Sequence, residues 1–321
     1  MPYCFALISH RRHIAIVAYC HVGLLLYGHT YPAPAGFVAA RHESHIEVLV
    51  DERQRQRKMG RIVVFANQKG GVSKTTSVAN LGPALVERNF RVLLVDADPQ
   101  MNLTEAFGAQ DEPGTRLEDV LQNPHRGASG AIMRERDGET MPGGVHLMPC
   151  TADLADVVNE ISEHDGYEQR LRDLLRPLLD IAYDFVLIDT PPGLGVLSGL
   201  ALIACDDVIV PARPSTFDLN GVVKMVDLIE EQLAEINPTA RLLGALIVQR
   251  DKRWRSRRRA HEALDMLDIP RLTAEIPMVV RVADAPAYGR PTIVLEPDSR
   301  VAEAYREVAA IVAGAAEQVV A

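Results

Sequence analysis

From residue 61 onward the chain repeats one pattern. A short run of apolar, often β-branched residues is followed by a longer stretch whose apolar positions recur every three or four places. The short runs are Arg61–Phe65, Arg91–Asp96, Val145–Met148, Tyr183–Asp189, Asp207–Pro211, Arg241–Val248 and the shorter Leu272–Ile276. Continuous apolar runs of this length read as strands covered on both faces. The periodic stretches predict helices from Ser73 through Leu85, near Leu117–Leu121, twice within Asp153–Leu179 and from Asp218 to about Ile236. Two more are predicted, one from the basic run at 250–259 to Leu267 and one over Ser299–Gly314. Strand and helix in alternation predict an α/β fold, a mainly parallel, doubly wound sheet flanked by helices. Residues 108–144, rich in Gly, Pro, Asp and Arg, read as a surface excursion.

Residues 1–58 do not share this pattern. They hold six of the ten histidines and four of the eight tyrosines, with no lysine before Lys58. His10/His13 and His42/His45 are spaced i,i+3, but scattered histidines in a poorly ordered segment explain them better than a metal site. The expected division is an N-terminal extension over 1–58, read as an upstream addition or misassigned start, and one α/β domain over 59–321.

Composition removes several classes. With 321 residues, 47% hydrophobic and 24% charged, the chain can bury a full core. Its net charge of −9 announces no nucleic-acid partner globally, so any basic surface must be local. The four cysteines, Cys4, Cys20, Cys150 and Cys205, lie far apart and suggest neither a disulfide framework nor a zinc site, which fits a reducing cytoplasm. No apolar run reaches the ~18 residues that span a bilayer.

Chemistry concentrates after the first strand. Gly70-Gly71 turns the chain into the helix opened by Ser73-Lys74-Thr75-Thr76. A strand, a glycine turn and a helix N-terminus make an anion site of backbone N–H groups, with Lys74 placed for β/γ-phosphates and the Thr75 hydroxyl for magnesium. The standard pattern has glycine six residues before the lysine and again directly before it. Gln68 and Ser73 stand there, and a second lysine, Lys69, lies five residues before Lys74. In this form the motif resembles the deviant Walker A loop of the ParA/MinD family of P-loop ATPases.

That resemblance extends over residues 59 to about 314, and Met59 falls where members of the family commonly begin. It implies nucleotide contacts from Gly70, Gly71, Val72, Ser73, Lys74, Thr75 and Thr76. Asp96-Ala97-Asp98-Pro99-Gln100 resembles the family's first switch, with Met101 in place of the usual glycine. The match implies that Asp98 positions the attacking water and Asp96 supports the magnesium shell. Asp189-Thr190-Pro191-Pro192-Gly193 resembles the Walker B strand and second switch, which implies a magnesium role for Asp189. The stretch from Ile276 to Pro286 resembles the adenine-lining segment, with Pro277 as a backbone contact and Met278-Val279 replacing the usual Arg-Asn pair. The implied cofactors are ATP and Mg2+, and the implied catalytic residues are Lys69, Lys74 and Asp98. In the family, ATP closes a sandwich homodimer in which the counterpart of Lys69 reaches the partner's phosphates, and a ParB-like protein stimulates hydrolysis.

One local charge run remains. Residues 250–259 carry seven basic side chains against the single acid Asp251. Arg255, Arg258 and Arg259 are spaced to share one helix face. Cations at a helix N-terminus oppose its dipole, typically by about 0.3–1 kcal/mol each, which a negative partner would offset. With the family's nonspecific DNA binding in view, Arg250, Lys252, Arg253, Arg255, Arg258 and Arg259 are the expected contacts, with Arg281 next. A MinD-like membrane switch is the rival class, but the tail Ile311–Ala321 has no lysine or arginine. A nitrogenase-iron-protein-like reductase needs cluster cysteines, which Cys150 and Cys205 do not match. A weakly hydrolysing DNA-binding scaffold is the other alternative.

Overall fold

The structure, a computed structural model, describes residues 4–10, 13–20, 23–26, 37–40, 48–51, 60–214, 216–248, 254–278 and 288–318. The chain divides into two compact units, Met1–Lys58 and Met59–Ala321. In the first, strands Cys4–His10, His13–Cys20 and Gly23–Leu26 form an antiparallel sheet, and Phe37–Ala40 pairs with Val48–Asp51. His10 and His13 are paired residues of two antiparallel strands rather than neighbours on one helix turn.

The second unit is built on six strands: β1 (Arg61–Phe65), β2 (Val92–Asp96), β3 (His146–Met148), β4 (Phe185–Asp189), β5 (Asp207–Ala212) and β6 (Arg241–Ile247). All neighbours pair in parallel, in the order β3-β2-β4-β1-β5-β6. The continuous apolar runs have a direct cause. Ile62, Val64, Leu93, Val95, Val186 and Ile188 pack into one core, while Val63, Phe65, Val92, Leu94, Phe185 and Leu187 pack into the other. Alternate side chains point to opposite faces and both faces are covered, so the middle of each run is apolar and polar residues such as Arg61, Asp96 and Asp189 fall at strand ends.

One face carries α1 (Lys74–Val86) and, near the C-terminus, Arg300–Gln318. They meet at the buried Tyr305, whose hydroxyl lies 3.2 Å from that of Ser77. The opposite face carries α3 (Leu117–Gln122), α4 (Leu154–Ile161), α5 (Arg170–Ile181), α6 (Val196–Ala204) and α7 (Thr216–Leu228), following the short α2 (Asn102–Ala106). Helix α8 (Trp254–Met266) buries Ala260 and Leu264 in this second core. Helix α9 (Thr292–Leu295) precedes α10, the Arg300–Gln318 helix. Each fully buried Val, Leu or Ile in these cores contributes on the order of 1.5–3 kcal/mol.

Two elements depart from the pattern. Residues 229–233 continue α7 as a π-helical turn before Ala234–Ile236. The strand expected at Leu272–Ile276 is only an interrupted ladder on β6, with Leu272 N–H donating to Ala245 and Ile276 N–H to Ile247. Pro270 and Pro277 bracket it and supply no N–H of their own. Inside the 108–144 excursion, Glu135–Arg136 and Glu139–Thr140 form a small hairpin.

Candidate active site

Strand order brings the motif loops together. Because β4 lies between β1 and β2, Asp189 sits level with Phe65 on one side and Asp96 on the other. The loops that leave the carboxyl ends of these three strands therefore open onto one place, where ligands bind in parallel sheets.

The glycine-turn loop is held from below. Asn67, 1% exposed, donates from Nδ2 to the Pro211 carbonyl at 2.7 Å and accepts the Lys69 N–H at 3.0 Å. The Thr190 hydroxyl donates to the Phe65 carbonyl at 2.8 Å. Gly71 has φ 71 and Ser73 has φ 62, both left-handed. Ser73 thus stands in the conformation that makes glycine the usual residue before the lysine, at a cost of about 1 kcal/mol. Lys69 is exposed, and Lys74 is 7% exposed with Nζ 3.5 Å from the Lys69 carbonyl. Burial lowers the Lys74 pKa, against the pull of Asp189 and Asp98.

Three aspartates face this lysine's end of the site. Asp96, wholly buried, accepts from the Thr104 N–H and hydroxyl, each at 2.7 Å, and from the Asp98 N–H at 3.2 Å. Burial still pushes its pKa up to about 6. Asp189 is also wholly buried, and neither carboxylate oxygen has a geometrically complete hydrogen bond. Burial first, and then Asp96 beside it, holds its pKa well above the usual carboxylate range, while the Thr75 hydroxyl and Lys74 act the other way. Asp98 is 5% exposed and accepts the Gln100 N–H at 3.0 Å. A buried carboxylate short of donors beside a threonine hydroxyl is a fitting place for a cation. Among the described residues no group of three or more His, Cys, Asp or Glu forms a closed metal cage.

A cavity of about 520 Å3 runs from this point along α1. Gly70, Gly71, Ser73, Lys74, Thr75 and Thr76 line it, with Asp98, Gln100 and Asn102 from the second loop and Pro192 from the third. Asn80, six residues beyond Lys74 and so ~9 Å along the helix, also lines it and accepts the Ile293 N–H at 2.8 Å. Ala79, Glu105, Ala106, Arg213, Arg290, Pro291 and Thr292 complete the wall.

Several expected residues lie elsewhere. Val72 is buried under the loop and does not line the cavity. Pro277 is half-buried and Met278 is 64% exposed, and neither is on the cavity wall. Residues 279–287, with Arg281, are outside the described residues, as are Arg250, Lys252 and Arg253. Helix α8 does carry Arg255, Arg258 and Arg259, and the last two are exposed. Arg258 Nε donates to Glu262 at 2.6 Å, an exposed i,i+4 pair. Such solvent-exposed pairs are weak, so this one does not withhold the guanidinium from an anionic partner.

The motifs did not mark Asn67, Arg213 or the wall at 290–292. Arg213 donates to the Gly71 carbonyl and lines the cavity. Its place directly after β5, at the carboxyl edge of the sheet, is the signal that could have flagged it.

Known proteins resemble this chain along most of its second unit. The AAA_31 family model, an AAA domain, matches residues 60–242. The chromosome partitioning protein ParA of Caulobacter vibrioides is 35% identical over 257 residues, 78% of this chain and 92% of that protein. The chromosome-partitioning ATPase Soj of Thermus thermophilus is 36% identical over 261 residues, 78% and 94% of the two chains. Among solved structures, a cobyrinic acid a,c-diamide synthase from Mycobacterium smegmatis with bound ATP analog and magnesium is 36% identical with a TM-score of 0.66, over 78% of this chain and 93% of that one.

Proposed function

Because the chain belongs to the ParA/MinD family of P-loop ATPases, we propose that it is a DNA-partitioning ATPase that binds Mg·ATP in this cavity, dimerises on ATP, holds DNA nonspecifically and lets go on hydrolysis. The observation that carries the reading is the register of β4, which sets Asp189 level with Asp96 beside the glycine-turn loop. Bound magnesium would neutralise phosphate charge. The Thr75 hydroxyl and, through water, Asp189 would hold it, with Asp96 supporting that shell.

The chain's own groups divide the remaining work. Lys74 and the N–H groups at the start of α1 bind and orient phosphates. Asp98, buried on the cavity wall, orients the attacking water. Lys69, exposed on the loop, would serve a facing protomer, where it would offset developing charge as an arginine finger does. The exposed arginines of α8 supply the DNA surface, and a ParB-like partner stimulates turnover. Such a protein works in the cytoplasm on nucleoid DNA, and the last turn of α10 has no basic residue for a membrane surface. No described helix is long and apolar enough to cross a membrane.

Sedimentation with Mg·ATP in an Asp98→Ala background tests the reading. A dimer should form and Lys69→Ala should lose it or leave it inactive, and a chain that stays monomeric at micromolar concentration rejects the sandwich. DNA binding is tested separately with Arg255→Glu plus Arg258→Glu. That pair should abolish ATP-dependent duplex binding and preserve the dimer. With roughly four phosphate contacts per subunit, the wild-type log K should fall against log salt with a slope of about −3.6 per subunit.

A further inference from the structure

We propose that Arg136 is a positioning residue for the nucleoside half of the bound nucleotide, a clasp that fixes the separation of the two cavity walls beyond the phosphate loop. The proposal rests on the reading that this cavity binds ATP. Arg136 belongs to the Glu135–Arg136 hairpin strand, within a surface excursion that no motif covers, and it does not itself line the cavity.

What it touches is specific. Its Nη1 donates to the Phe107 carbonyl at 2.5 Å and to the Gly289 carbonyl at 3.1 Å. Phe107 directly follows Glu105 and Ala106, which form one wall, and Gly289 directly precedes Arg290, Pro291 and Thr292, which form the other. One guanidinium nitrogen, carrying two hydrogens, therefore joins both walls. The guanidinium is planar and always charged, so the two bonds share one fixed geometry.

The backbone there is shaped to admit it. Gly108 and Gly289 both lie in the left-handed region, at φ 64 and φ 58. A Cβ on Gly108 would collide with the Arg136 Nη1, and a Cβ on Gly289 would stand 3.0 Å from the Gly108 Cα. Three segments far apart in sequence thus meet at contact distance, and only the absence of two side chains allows it. The arginine side chain is 18% exposed, so the clasp is largely shielded from water. The slot it holds open offers Ala106 and Pro291 as apolar surface and Glu105 and Arg290 as polar groups, which suits a base and ribose rather than more phosphate.

The test separates the two halves of the ligand. Affinities for Mg·ATP and for inorganic tripolyphosphate with magnesium are measured on the full chain, wild type against Arg136→Ala and Arg136→Lys. Arg136→Ala should weaken ATP by tenfold or more and change tripolyphosphate by less than twofold. Arg136→Lys, which keeps the charge and loses the planar fork, should fall between and keeps the test alive if the alanine variant fails to fold. Equal losses for both ligands would make Arg136 a general structural contact and overturn the proposal, as would an unchanged ATP affinity. A wild-type chain that binds tripolyphosphate but not ATP would overturn the nucleotide reading itself, and the clasp with it.

Discussion

Asp98 and Lys74 share the cavity but differ in what their removal should do. In the proposed reading Lys74 binds phosphate, so Lys74→Ala should weaken nucleotide binding itself. Asp98 is the group proposed to orient water, so Asp98→Ala should leave ATP binding within a few-fold and lower turnover by about 10²–10⁴. Equilibrium binding and single-turnover hydrolysis separate these outcomes, and wild-type hydrolysis by Asp98→Ala would remove its assigned role. A second acid, outside the site, sets a pH dependence. Glu118 accepts from the Thr151 hydroxyl at 2.6 Å and the Thr151 N–H at 3.1 Å, but its other oxygen is buried without a partner. Burial raises its pKa. A raised acid pKa means that the fold favours the protonated form, so this group's contribution is present at low pH and is lost as pH rises through the carboxylate range. Glu118→Gln should therefore be more stable than wild type at pH 7, and the gain should shrink on acidification toward pH 4. Paired thermal melts across that range measure it, and a constant difference would refute the sign.

The helices and strands were legible where both faces of the sheet are buried, because apolar runs such as Arg61–Phe65 and Phe185–Asp189 have no other use in a chain this polar. Strand order was not. That β4 inserts between β1 and β2 depends on crossover packing, to which local pattern is blind. The candidate site was legible at the glycine turn and the three aspartates, whose chemistry is tied to short spacings. Arg136, Arg213 and the 290–292 wall were not, since each acts through contacts with segments distant in the sequence, from 29 residues away for Arg136 and Phe107 to 142 for Arg213 and Gly71. The close approach of α1 to β2 supplies a test at this scale. A Cβ on Gly82 would lie 2.7 Å from Leu94 Cδ2, and Leu94 is fully buried. Alanine gains up to about 1 kcal/mol over glycine in a helix, yet overpacking costs about 1–3 kcal/mol. Gly82→Ala should destabilise on balance, and urea unfolding that shows a gain would mean the pair separates freely.

At the scale of the whole chain, the division at Lys58 predicts that a protein beginning at Met59 folds and binds nucleotide as the full chain does. Every residue assigned to the cavity lies after that point. Insolubility of the shortened protein, or loss of ATP binding, would make residues 1–58 part of the domain. The interrupted ladder on β6 has a consequence of another kind. An all-parallel sheet ends in a row of open backbone groups that can recruit strands from other molecules. Here the rim beyond β6 is occupied by a segment bonded at Ala245 and Ile247 and closed at either end by Pro270 and Pro277. A proline offers no N–H to an incoming strand, so this edge is a poor template for growth into fibrils, even where many copies of the protein are held at high local concentration.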